Sequence, residues 1–242
     1  MPAILGERFG DVIAKGWNCT LSVRRAPHWM EGSAAVIRTK IDTLWFKRHC
    51  AFHLHLLPDH EARSKLCDLQ DRIERDSGAP LLRVPATSLH MTIATLIDAT
   101  AQFSIPNEEV WKCNGERWTE VVERLVEQTP SFDLDFDEVA VSEAAVFVKA
   151  EEPAELRRLR SAISQAICLE QWRPSPPDIA HMTLFRFFAE EPVPAVGFDT
   201  GCLPIGVRAG SLTLLEERVY PNVETNILSA PLLCGKSAND RL

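Results

Sequence analysis

The chain has 242 residues, 45% apolar and 25% charged, with a formal net charge of −8. This length and composition suit a globular protein with one large core or two small lobes, and the acidic balance excludes the broad basic face that sequence-independent binding to long nucleic acid needs. Seven scattered cysteines with no Cys-x-x-Cys pair exclude a disulfide framework or a cysteine zinc site and point to a reducing cytoplasm.

The first residues include Glu7, Arg8 and Asp11 and no uninterrupted apolar stretch, so no signal peptide is expected. No run is long enough to cross a membrane as a helix. The Asn18-Cys19-Thr20 sequon is read as chance. Residues 1–48 have no counterpart elsewhere in the chain and are expected to form an extension packed on the body through Trp17, Trp29 and Trp45. The main domain is expected over 49–242, with lobes at about 49–105 and 130–235.

A strand is expected at 50–57, where Phe52, Leu54 and Leu56 share one face and Ala51, His53 and His55 the other. The apolar face should pack on the following helix, which leaves His53 and His55 on the concave side. Pro58-Asp59 closes this strand. The helix that follows, at 59–75, carries Ala62, Leu66, Leu69 and Ile73 as a single stripe. A loop at 76–80 leads to a strand that opens with His90-Met91-Thr92 and continues through apolar residues. Trp118, Val121, Val122, Leu125 and Val126 mark a further amphipathic helix. Trp111 and Trp118 read as core or rim, and the alternating Asp133, Asp135 and Asp137 as the solvated face of a strand.

The same plan then recurs. A strand is expected at 145–149, and Glu151-Glu152-Pro153 opens a helix reaching about Cys168, as acidic residues and proline favour a helix start. Its stripe is Leu156, Leu159, Ile163 and Ile167. A loop with Pro174, Pro176 and Pro177 leads to a strand that opens with His181-Met182-Thr183. Two late strands, 211–217 and 225–228, are joined through Tyr220-Pro221-Asn222.

A single His-x-Thr means little. Two identical copies at equivalent places in two similar halves mean more, although strand ends could also use both as structural groups. In a strand, residues i and i+2 share a face, so each copy presents an imidazole beside a hydroxyl with Met turned away. Facing each other, the two strands would enclose two histidines and two threonines. With an ordinary pKa near 6.5, one imidazole can be neutral and the other protonated at neutral pH. One can then accept a proton while the other donates one. The hydroxyls of Thr92 and Thr183 can donate hydrogen bonds to phosphate oxygens.

These paired motifs, His90-Met91-Thr92-Ile93 and His181-Met182-Thr183-Leu184, resemble the signature of the two-histidine (2H) phosphoesterase superfamily. Its members include LigT-like RNA ligases and 2′,3′-cyclic nucleotide phosphodiesterases. The second motif continues to Phe185-Arg186, similar to the His-x-Thr-Leu-x-Arg form of the family's second lobe. The resemblance spans about residues 50–230. It implies an α+β fold of two pseudo-symmetric lobes, each an antiparallel sheet backed by helices, around a central cleft. The activity it implies is metal-independent opening of a 2′,3′-cyclic phosphate, or a related cyclic phosphodiester such as that of ADP-ribose. Catalysis would fall to His90, Thr92, His181 and Thr183, with no cofactor. The substrate would be a small nucleotide or an RNA end, with no membrane partner and no extended nucleic-acid footprint.

Weaker candidates surround this core. His53 and His55 either contact the substrate or are partly exposed strand histidines. Arg186 lies an odd number of residues from His181, so strict alternation turns it into a surface salt bridge unless a bulge returns it to the phosphate. Tyr220 either stacks on a base or packs against the second lobe. Of His49, His53, His55 and His60, only His53 and His55 should come together, and no Cys or carboxylate is spaced to complete a metal site. Two other functions remain open. An RNA 2′,5′-ligase or 3′-end processing enzyme would need a basic track that Arg83, Arg173 and Arg186 are too few to establish. A non-catalytic nucleotide-binding module would bind a mononucleotide without turnover.

Overall fold

The computed structural model describes residues 36–77, 81–169, 172–174, 176–190, 192–194 and 201–235. Trp17 and Trp29 lie outside them. The elements are β1 (Val36–Arg38), β2 (Arg48–Leu56), α1 (His60–Ser77), β3 (Leu81–Arg83), β4 (Met91–Ile97) and α2 (Asn107–Glu127). They continue with β5 (Phe132–Val141), β6 (Ala145–Ala150), α3 (Ala154–Ala166), β7 (Ala180–Phe187), β8 (Pro192–Pro194), β9 (Ile205–Ala209), β10 (Thr213–Val219) and β11 (Glu224–Ser229). No helix among the described residues is long and apolar enough to cross a membrane.

Local chemistry explains the boundaries. The Asp59 carboxylate accepts the Ala62 N–H at 2.8 Å and caps α1. Ala62, Leu66, Leu69 and Ile73 are all buried on one stripe. Pro153 precedes α3, whose buried stripe includes Leu156, Leu159 and Ile163. This helix stops at Ala166, short of Cys168, because Ile167 has extended backbone angles. In β5, Phe132, Leu134 and Phe136 are buried while Asp133, Asp135 and Asp137 are exposed, so this strand has one wet face.

Two antiparallel sheets form the body. One has the order β11-β10-β2-β4 and the other β3-β7-β6-β5-β9; β1 pairs separately with β8. The sheets do not follow consecutive stretches of sequence, which corrects the division into lobes at 49–105 and 130–235. The late hairpin β10-β11 returns to the first sheet, where β10 pairs with β2, while β3 leaves the first half to pair with β7. The return of β10 gives β2 partners on both edges, so its backbone groups are satisfied.

The helices cross over as well. The helix after β2, α1, packs on β7 and β9 of the other sheet, and α3, after β6, packs on β4. The apolar face of β2 therefore meets α2, not α1 as expected: Phe52 stacks on Trp111 with centroids 4.1 Å apart and planes 6° from parallel. A fully buried leucine contributes about 1.5–3 kcal/mol, and truncating Leu69 or Leu159 to alanine should cost roughly 2–5 kcal/mol. One continuous core joins both sheets and all three helices.

Candidate active site

The two His-x-Thr strands, β4 and β7, touch where the sheets meet. Met91 and Met182 point into the core and are fully buried, while Thr92 and Thr183 are half-buried on the opposite face. Each strand then breaks its alternation at the same point. Opposite β2, the register passes from His55↔Thr92 to Leu54↔Ala94 and leaves Ile93 unpaired. Opposite β6, it passes from Phe147↔Thr183 to Val146↔Phe185 and leaves Leu184 unpaired. Such a bulge shifts the phase of everything beyond it. Ile93 and Ala94 are thus both buried, as are Leu184 and Phe185. Arg186 returns to the face of His181 and Thr183, and Thr95 takes the matching place beyond His90 and Thr92.

His90, Thr92, His181, Thr183, His53, His55, Arg186 and Tyr220 line a single cleft of about 130 Å³, with Val84, Glu217 and Pro221 completing it. The two motif histidines are oriented alike. His90 Nδ1 lies 2.7 Å from the Ser88 carbonyl, and His181 Nδ1 lies 3.3 Å from the Ile179 carbonyl. A carbonyl can only accept, so each neutral ring carries its proton on Nδ1 and keeps Nε2 as the basic nitrogen.

The surroundings of the two rings differ. His55 stacks on His90, and His53 on His55. His53 Nδ1 lies 3.1 Å from Thr95 Oγ1. At the far end of this column, Glu217 Oε2 lies 2.8 Å from His49 Nε2 and 3.5 Å from His53 Nε2. The Asn222 N–H donates to Glu217 Oε1 at 2.5 Å, and the Asn222 carboxamide lies 2.8 Å from His90 Nδ1, where its oxygen, otherwise without a partner, is the atom able to accept from that N–H. Asn222 reaches this position with φ of 53°, a left-handed conformation that asparagine tolerates. His181 instead meets Phe147 edge-on, with centroids 5.3 Å apart.

Burial dominates the electrostatics. It pushes His90 down to about 4, with help from His53 and His181 and against the Ser88 carbonyl and Glu217. Burial, with His90 and His53 beside it, holds His55 well below its ordinary value. His181 is lowered by burial, then by Arg186 and Arg160, against the Ile179 carbonyl. For Glu217 burial works upward, but the bonds from His49, His53 and the Asn222 N–H outweigh it and hold the carboxyl at about 2. At neutral pH the cleft thus presents uncharged His90, His55 and His181 rings beside a carboxylate.

Arg186 reaches the cleft by the bulge and also sits near a carboxylate, its Nε 3.6 Å from Asp42 Oδ2. That buried Nε has no hydrogen-bond partner. Tyr220 lines the cleft and packs edge-on against Trp45, with centroids 6.2 Å apart. Burial raises its phenol, and the bond to Asp42 adds to this. Thr95, Glu217 and Asn222 join the site although the periodicity does not single them out. The one sequence signal for Thr95 is the consecutive apolar pair Ile93-Ala94, which matches Leu184-Phe185 in the other copy. Among the described residues, no three His, Cys, Asp or Glu side chains are placed to hold a metal ion.

Two antiparallel sheets with crossed helices and paired His-x-Thr strands at their junction define a class of protein. The fold is shared with TT0787 of Thermus thermophilus, at a TM-score of 0.56 and 20% identity over 77% of this chain and 100% of that one. Escherichia coli LigT has it too: complexed with 3′-AMP the TM-score is 0.54, and complexed with phosphate it is 0.53. In both cases identity is 17% over 78% of this chain and 99% of LigT. Residues 103–218 match the model of the 2′-5′ RNA ligase superfamily, a segment that contains the second motif. No curated protein matches the chain. The chain is thus similar to the 2′-5′ RNA ligase superfamily over residues 103–218, and it shares the fold of LigT and TT0787.

Proposed function

We propose that the protein is a metal-independent phosphodiesterase that opens a 2′,3′-cyclic phosphate, or a related cyclic phosphodiester, on a nucleotide or short RNA end. The observation that supports this reading is the convergence of both His-x-Thr pairs in one cleft, each ring with Nε2 as its basic nitrogen. One imidazole takes a proton from water as the water oxygen attacks phosphorus. The other, protonated, gives its proton to the ribose oxygen as that P–O bond breaks, leaving a monoester. Thr92 and Thr183 donate to the non-bridging oxygens, and Arg186 offsets their charge. His53, His55 and Tyr220 shape the wall beside the reacting group. The net charge of −8 favours a small substrate over long RNA.

The family match supports a second reading, 2′,5′-ligation of RNA or trimming of an RNA 3′ end, which would use the same groups, in reverse for ligation. The deciding experiment is turnover of the four 2′,3′-cyclic nucleotides and ADP-ribose 1″,2″-cyclic phosphate in EDTA. Wild type is compared with His90→Ala and His181→Ala. Hydrolysis should fall about 10²–10⁴-fold in each mutant, because each loses one proton transfer. Wild-type rates in either mutant would refute the two-histidine scheme. No turnover by wild type, with a mononucleotide still bound, would favour a nucleotide-binding module.

A further inference from the structure

Gln70 and Arg160 occupy matching places on α1 and α3, each directly after a buried leucine of the stripe, Leu69 or Leu159. Because the helices cross over, each reaches the opposite His-x-Thr strand. Gln70 Nε2 donates to the carbonyls of Val84 and the bulge residue Leu184, both at 2.9 Å. Arg160 does the equivalent on β4: its Nε donates to the Ile93 carbonyl at 3.1 Å and its Nη2 to the Thr92 carbonyl at 2.9 Å. A bulge leaves carbonyls outside the regular ladder, and a buried carbonyl needs a donor.

On the Leu184 side a neutral amide, beside the Val84 N–H at 3.0 Å, is enough. On the Ile93 side the chain buries a guanidinium, only 3% exposed, with Glu152 as its carboxylate partner at 2.9 Å. Burying a charge where an amide would serve is costly, so the charge calls for a reason beyond bulge satisfaction. Arg160 Nη2 also approaches the Ile179 carbonyl at 3.5 Å, the carbonyl that accepts from His181 Nδ1. One guanidinium thus reaches the backbone of the first motif and the carbonyl that orients the histidine of the second.

We propose that Arg160 is an electrostatic positioning residue of the phosphate site: from beneath the bulge it fixes both His-x-Thr arms and supplies positive potential for an anionic substrate. This rests on the phosphoester reading of the cleft. His181 faces Arg186 on its own strand, Arg160 from α3 and His90 from the other arm. Lys149 lies across from it on β6, tied to Glu138 at 2.9 Å, and Asp178 precedes it in the chain. Of these, Arg186 and Arg160 both lower the imidazole, after burial.

The test is NMR titration of the His181 ring, together with calorimetric binding of inorganic phosphate, in the full chain and its variants. R160Q, which copies the amide of α1, should raise the His181 titration by about half a pH unit and weaken phosphate binding about tenfold. R160K retains the charge and should leave the titration near wild type. E152Q removes the countercharge and should move both readouts the opposite way from R160Q. Wild-type values in both R160Q and E152Q would overturn the proposal, as would an R160K titration that moves with R160Q. If R160Q fails to fold, E152Q decides alone. Neither readout requires turnover, so a failure of the phosphodiesterase reading would show separately, in the cyclic-phosphate assay.

Discussion

The ring of His55 lies over that of His90 with centroids 4.0 Å apart and planes 21° from parallel. His53 continues the column on the other face of His55, at 5.1 Å. Protonating the inner rings would place like charges in contact in a desolvated site. The one carboxylate of the column, Glu217, bonds to His49 and His53 at its outer end. His90 is therefore neutral at neutral pH, and the near symmetry of the two motifs is broken by what stands behind them.

For the proposed reaction, kcat/KM should trace a bell whose acid limb lies near pH 4, where His90 titrates in the free enzyme. The alkaline limb should fall below pH 6.5, because His181 is also lowered. Exchanging the two roles gives the same bell, since each requires one neutral and one protonated ring. Bound phosphate stabilises the protonated rings, so the bell for kcat should lie at higher pH. A flat kcat/KM profile, or a maximum above pH 7, would contradict this.

Stability should fall with acid in two stages. His90 and His55 are lowered in the folded state, so the unfolded chain binds more protons below pH 6.5, and stability drops as the pH falls from there toward 4. His90 alone accounts for roughly 3 kcal/mol across that window. Glu217 has the opposite charge type but the same direction. Its folded value of about 2, against 4.5 ordinarily, gives stability that is present above about pH 4.5 and is lost as the pH falls through 2. Thermal melts at a series of pH values check this: His90→Asn should make the first stage shallower, leaving the share of His55, and should leave the second unchanged. Equal slopes in both proteins would remove His90 from the account.

Arg186→Ala should raise KM for a cyclic phosphate about 10- to 100-fold, with a smaller effect on kcat, through loss of a charge-assisted contact to the ground-state anion. Arg186→Lys should recover only part, because an ammonium cannot reproduce the planar fork. An unchanged KM in the alanine variant would place Arg186 with Asp42 alone.

Gly115 lies beneath Trp111, and a Cβ there would come within 2.6 Å of the Trp111 ring. That ring is held by Phe52 on its face and by Trp118 at its edge, with centroids 6.1 Å apart. Gly115→Ala should therefore destabilise the protein by about 1 kcal/mol or more, although alanine is the better helix former. The melting temperature should fall roughly 2–4 °C. A rise would mean that the ring can move aside.

Much of this was legible in the sequence. The repeated His-Met-Thr carried the resemblance that implied the fold class, while the stripes of α1 and α3 and the turn at Tyr220 placed elements and candidate groups. The bulges were harder to see, since a bulge belongs to the hydrogen-bond ladder between strands. Strict alternation sent Arg186 outward, and only the paired apolar residues at Ile93-Ala94 and Leu184-Phe185 hinted otherwise. Glu217 joins His49 and His53 because β10 returns beside β2, a pairing between strands far apart in sequence. The stripe on α1 shows that the helix packs, but two sheets with apolar faces offer it the same welcome. Which one it covers is a property of the assembled core.

That crossing of the helices sets how wide the cleft can open. Rotating one sheet away from the other would drag Leu66 and Leu69 from under β7 and β9, and Leu156 and Leu159 from under β4, all of them fully or almost fully buried. At about 1.5–3 kcal/mol for each leucine, such a hinge would break the core before it admitted a larger ligand. For the proposed reaction the aperture is therefore a fixed gauge: a substrate would be accepted or refused by its size and charge at the mouth, with adaptation left to side chains and to the Tyr220-Pro221-Asn222 turn.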